Sequence, residues 1–128
     1  MRGLFINYKD VPWIEIGKGI RYKPILVNNL GGSLVEFDKG ASFEPHSHAD
    51  EQMSWCLKGK MEFVVEDDSG QRTEIFQEGM AYGLEPFVRH GIVRTIEDSL
   101  LLEVWSPPER QRKRKGAIII GEADKKEQ

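Results

Sequence analysis

Cysteine is all but absent: Cys56 is the single one in a chain of 128 residues. That excludes an intramolecular disulfide and any cysteine-built zinc module. Long apolar runs are missing too, and none approaches the ~20 residues a membrane-spanning helix requires. The opening segment, Met1 through Asp10, turns polar too early for a secretory signal, so a soluble, cytoplasmic protein is expected. Neither charge sign dominates. Eighteen Lys and Arg stand against twenty-one Asp and Glu, a formal charge of −3, which gives the body no general attraction for nucleic acid or an anionic membrane. Helical periodicity and repeats of solenoid length are also lacking.

What remains has the texture of strands. Thirteen glycines and six prolines punctuate short runs rich in Val, Ile, Phe, Tyr and Trp. Strands are expected at 33–38, 52–57, 60–66, 72–76, 80–84, 91–96 and 100–105. Turns are expected at Lys58-Gly59, at 67–70, at Glu78-Gly79 and at 97–99. Met61, Phe63 and Val65 alternate with Glu62, Val64 and Glu66, a period of two with one face mostly apolar. Many short strands at even spacing imply an all-β sandwich, jelly roll or closed barrel in a single domain.

That domain divides into a core at about 25–106, an N-terminal strand extension at 1–24, a basic segment and strand at 107–121, and a polar tail at 122–128. The N-terminal extension carries Trp13, Ile14, Ile16, Ile20 and Tyr22, able to add edge strands to this chain or to a partner. The basic run at 110–115 holds five cations in six residues. A solvated loop, or a brace against the acidic body of a second subunit, accounts for it better than nucleic acid does. Ile118, Ile119 and Ile120 form a hazard if exposed, so they are expected to dock, and a homodimer is one way to dock them.

Only three histidines are present: His46, His48 and His90. In an extended segment, residues two apart point to one face, so His46 and His48 converge. The same parity runs through Asp50, Gln52, Ser54 and Cys56, which makes Gln52 rather than Glu51 the oxygen donor on that face. Neutral imidazoles converging with an oxygen donor suit a divalent transition metal. A polar surface loop would show the same His-Ser-His, so the wider spacing has to decide.

Gly40, five residues, His46, one residue, His48, three residues, Gln52, six residues and Gly59 follow the first cupin motif, with Gln in place of the usual Glu. Gly79 to His90 spans the interval between the Gly and His of the second cupin motif. There Pro86 is displaced by one, Phe87 replaces the inner Gly and Arg94 stands where Asn is usual. The chain therefore resembles a small single-domain cupin, an all-β jelly-roll barrel. The resemblance implies His46, His48, Gln52 and His90 as ligands to one divalent ion (Ni, Mn, Zn or Fe). With Gln for Glu the ion keeps its full charge, making it a stronger Lewis acid held less tightly. Entry of Glu51 as the ligand is the alternative.

The segment Glu103-Val104-Trp105-Ser106-Pro107-Pro108-Glu109-Arg110 resembles the Asp-Val-Phe-Ser-Pro-Pro-Arg ending of pectin-degradation cupins. Those proteins convert cyclic 4,5-unsaturated uronates to the linear keto form, with the acid and the Arg of this stretch in catalysis. Here Glu103 matches the acid, Glu109 occupies the Arg position and Arg110 follows one later. If Glu103 points inward with Leu101 and Trp105, desolvation raises its pKa and fits it for proton transfer; if outward, it is a solubilising residue. Arg94 shares the parity of His90 and is expected in the cavity, gripping a substrate carboxylate. Tyr82 reads as barrel packing, Cys56 as a buried thiol rather than a nucleophile, and Met53 and Trp55 as residues of the opposite face.

These readings favour a metal-dependent enzyme that isomerises or tautomerises a small oxygen-rich carbonyl or sugar-acid-like substrate, a reaction needing no redox partner. An Fe(II)-dependent dioxygenase and a non-enzymatic small-molecule-binding or regulatory cupin are the alternatives.

Overall fold

The computed structural model describes residues 3–120, so the tail assigned to 122–128 lies outside the described residues. Ten strands follow in order: β1 (Ile14–Gly17), β2 (Ile20–Tyr22), β3 (Ile25–Leu26), β4 (Gly31–Phe37), β5 (Phe43–His46), β6 (Glu51–Asp67), β7 (Gly70–Gln77), β8 (Ala81–Leu84), β9 (Arg89–Ser106) and β10 (Ile118–Ile119). One helical turn, α1 (Glu109–Arg112), precedes β10, although the sequence shows no helical period.

Two long strands organise the jelly roll. The expected strands at 52–57 and 60–66 are one continuous strand, β6, and those at 91–96 and 100–105 are one strand, β9. Lys58-Gly59 and residues 97–99, expected as turns, are instead bends within these strands, where the β6–β9 register shifts repeatedly between Cys56 and Met61. Extra residues at such shifts bend and twist a strand without ending it. Gly59 takes φ +98, and a Cβ there would run into Ser99 Oγ and the Asp98 carbonyl of β9. Lys60 N–H donates to Ser99 Oγ at 3.0 Å, closing the bend.

Because both long strands bend, each belongs to two sheets. The first half of β6 and the second half of β9 lie between β8 and β4, with β2 and β1 extending the β4 edge. The other halves lie between β7 and β5. Alternation decides what enters the space between the sheets: along β4, Gly31, Ser33, Val35 and Phe37 are buried while Gly32, Leu34 and Glu36 are less so. Met61, Leu101, Cys56, Phe63 and Trp105 complete the core, each large side chain contributing roughly 1.5–3 kcal/mol by leaving water.

The terminal extensions serve this same chain. β1 and β2 pair with each other and, through β2, with β4. Ile118 and Ile119 pair in parallel with Ile25 and Leu26 of β3. The features that suggested docking across a dimer are thus accommodated within one protomer. The basic run braces its own body: Arg112 donates to the carbonyls of Val27 and Asn28 at 3.1 and 2.8 Å, and Arg114 stands 5.6 Å over the Tyr22 ring.

Candidate metal centre

His46 closes β5 and stands opposite His90 of β9 in register. Their close approach depends on Gly91, where a Cβ would lie 2.7 Å from the Phe43 carbonyl and 2.8 Å from the Pro45 nitrogen. Any side chain there would push β5 off β9. His48 follows in the loop before β6, and from it the expected alternation holds: His48, Asp50, Gln52, Ser54 and Cys56 are buried, while Ala49, Glu51 and Met53 are exposed. Ring centroids lie 4.4 Å apart for His46–His90, 4.9 Å for His48–His90 and 5.4 Å for His46–His48. One nitrogen from each ring falls within 4.8 Å of the others.

The hydrogen bonds select the tautomer. Each Nδ1 faces a backbone carbonyl: Glu44 for His46 at 3.1 Å, Asp50 for His48 at 3.0 Å and Val88 for His90 at 2.9 Å. A carbonyl only accepts, so each Nδ1 carries the proton and each Nε2 keeps its lone pair. His48 Nε2 is buried with no hydrogen-bond partner among the described residues, an orphan that costs stability unless something binds it. Burial holds all three imidazoles below their ordinary pKa, His90 at about 4, so they are neutral near pH 7. Three lone pairs, oriented from behind by carbonyls, meet the requirements of a divalent transition ion.

Gln52 is buried beside them. Its Nε2 donates to Tyr82 Oη at 3.1 Å and to Ser54 Oγ at 3.3 Å. These bonds engage the amide nitrogen and leave the carbonyl oxygen outside them, while the side chain also interacts with His48. Glu51, the alternative oxygen donor, is exposed on the other face of β6. Tyr82, expected as barrel packing, packs against Phe63 and Phe76 and also orients Gln52. Burial raises its phenol well above the ordinary value, so it stays protonated.

A cavity of about 110 Å³ adjoins His46 and His90, lined among others by Gln52, Tyr82, Glu103, Trp105 and Arg110. Glu103 faces inward, opposite Ser54 of β6. Burial lifts its carboxyl to about 7, opposed by the positive charge of Arg110 and a hydrogen bond with Ser54. Arg110 reaches the cavity from α1 and makes two parallel bonds to Asp50, Nε to Oδ1 and Nη2 to Oδ2, both 2.8 Å.

Arg94 does not join them. Phe63 pairs with Ile92 but Glu62 pairs with Arg94, so Val93 is an extra residue that shifts the alternation by one. The Arg94 side chain is 64% exposed and lies 3.4 Å from Glu62 on the outer face. Cys56 is a buried thiol, raised by burial, whose Sγ donates to the Lys58 carbonyl. Asp50 was given no role by the sequence reading, although its parity with His48 and Gln52 already set it on the inner face.

Comparison with known proteins agrees with this fold. The ChrR cupin-like domain family matches residues 1–104. A pectin degradation protein, KdgF of Dickeya dadantii, is 35% identical over 109 residues, spanning 84% of this chain and 94% of the relative. The solved structure of KdgF from a Halomonas species aligns with a TM-score of 0.69 at 28% identity, covering 84% and 94% of the two chains. An RmlC-like cupin from Shewanella frigidimarina shares the fold, with a TM-score of 0.72 at 23% identity over 83% and 92%.

Proposed function

The chain belongs to the ChrR cupin-like family, and from that premise we propose that it is a metal-dependent isomerase that opens a cyclic 4,5-unsaturated uronate to its linear keto form. The observation that carries the proposal is Glu103, a carboxyl held at about 7 inside the cavity beside three converging imidazoles. His46, His48 and His90 through Nε2, and Gln52 through its carbonyl oxygen, would hold the ion. When bound, the ion supplies Lewis acidity toward neighbouring hydroxyl and carbonyl oxygens.

The reaction balances without a co-reactant. The bond between C1 and the ring oxygen breaks, the anomeric hydroxyl loses its proton to become an aldehyde, and C4 gains a proton as the C5 enol becomes a ketone. A carboxyl with a pKa near the working pH can both take the first proton and return one to C4, so Glu103 serves as acid and base. Tyr82 holds Gln52 in orientation by accepting from its amide nitrogen, and stays protonated throughout. Arg110, steadied by Asp50, offers the cation that a uronate carboxylate needs.

The test uses protein loaded separately with Ni, Mn, Zn or Fe(II), and unsaturated galacturonate released from polygalacturonate by a lyase. Loss of the conjugated ultraviolet absorbance should outpace the spontaneous reaction, and NMR should show the linear ketone, under nitrogen as well as in air. E103Q should lower kcat by roughly 100-fold or more while metal content stays the same. Failure of every metal form to accelerate opening overturns the proposal, as does turnover that requires Fe(II) and consumes oxygen.

A further inference from the structure

We propose that Asp50 is the counter-charge of the metal centre, the group that lets the cationic Arg110 stand beside a dication. The inference rests on the metal centre of the proposed function but not on its uronate substrate.

The proposed ligands carry no negative charge: three neutral imidazoles and one carboxamide. The carboxylate that the usual cupin Glu would bring is missing at Gln52. Meanwhile Arg110 brings a positive charge to the cavity that His46, Gln52 and His90 also line. A divalent ion and a guanidinium so close repel each other, and burial weakens the screening that water would provide. Asp50 touches both Arg110 and the ligand His48. It is 4% exposed, both of its carboxylate oxygens accept from Arg110 at 2.8 Å, and Oδ1 lies 3.3 Å from His48 Nδ1. Its own backbone carbonyl accepts the His48 Nδ1 proton at 3.0 Å. One residue therefore orients a ligand and neutralises the cation that follows it by 60 positions in sequence. Asp50 acts through His48 and Arg110, and is a positioning residue.

The full-length protein, two single variants and their combination test this by Co(II) affinity measured in competition with a chelator. D50N should weaken Co(II) by roughly tenfold or more, because Arg110 is left unbalanced. R110A should tighten it by about threefold or more, because Asp50 is then an unpaired anion beside the site. The D50N/R110A protein, with both charges gone, should lie between the two single variants and close to wild type. Opposite signs distinguish charge from packing, since a purely structural pair would weaken the metal in both single variants. An affinity in D50N within about twofold of wild type, or R110A weakening the ion, overturns the proposal. Should D50N fail to fold, R110A decides by its sign, its side chain being 44% exposed. Wild-type protein that binds no Co(II) sinks the metal centre itself, and this proposal with it, a result distinct from an unresponsive D50N.

Discussion

Glu103 stands in an environment at odds with the charge its chemistry prefers. Its carboxyl is raised from the ordinary 4.5 to about 7 because ionisation must occur in the barrel interior. Folding thus favours the protonated form. The stability this contributes is fully present below pH 4.5 and is lost as pH rises through about 7. E103Q removes the ionisable group and should abolish that loss, stabilising the metal-free protein by up to about 3 kcal/mol above neutrality. Urea denaturation of wild type and E103Q at pH 5 and pH 8.5 checks this. The gap between the proteins should widen at the higher pH, and a constant gap would contradict it. Glu103 was legible in the sequence as an acid among Leu100, Leu101, Leu102 and Trp105, with its direction left open. The answer depended on register: Glu103 keeps the inward parity of Leu101 and Trp105.

At the scale of elements, the bends in β6 and β9 explain most of the differences between expectation and structure. A Gly or an Asp-Ser pair in a short apolar pattern signals a turn equally well whether the chain reverses or merely changes sheet. Gly59 marks such a change, and its φ of +98 and contact with Ser99 leave no place for a side chain. G59A should therefore destabilise the protein by roughly 3 kcal/mol or more, read from the urea midpoint, whereas a free turn would tolerate it. The same physics misdirects Arg94. Alternation is reliable within an unbroken ladder, and the extra residue Val93 reverses it. No local residue signal marks a bulge, since it arises from how two strands fit. The histidines were legible for the opposite reason: a spacing of two in His46 and His48, and the interval from Gly79 to His90, survive intact in the loop and strand that carry them.

Across the whole molecule, the centre ties together parts that no local contact unites. His46 comes from β5, His48 from the following loop, Gln52 from β6 and His90 from β9. Such a set exists only in the folded chain, so an ion that binds it stabilises by mass action. Ni(II) or Zn(II) at a free concentration a hundredfold above Kd should add about 2.7 kcal/mol, seen as a higher Tm that chelation reverses. H48A should remove the increase. A Tm indifferent to every divalent ion would contradict the centre.

The sequence by itself determined the all-β architecture and the pairing of His46 with His48 on one side of the chain, because both are written in local period: apolar alternation for the first, a spacing of two for the second. Only the tertiary structure decided which charged side chains face the cavity. Arg94 was turned out by a bulge, and Arg110 was brought in by Asp50, 60 positions away. Those outcomes depend on strand register and on contacts between distant segments, quantities that exist only once the chain has closed on itself.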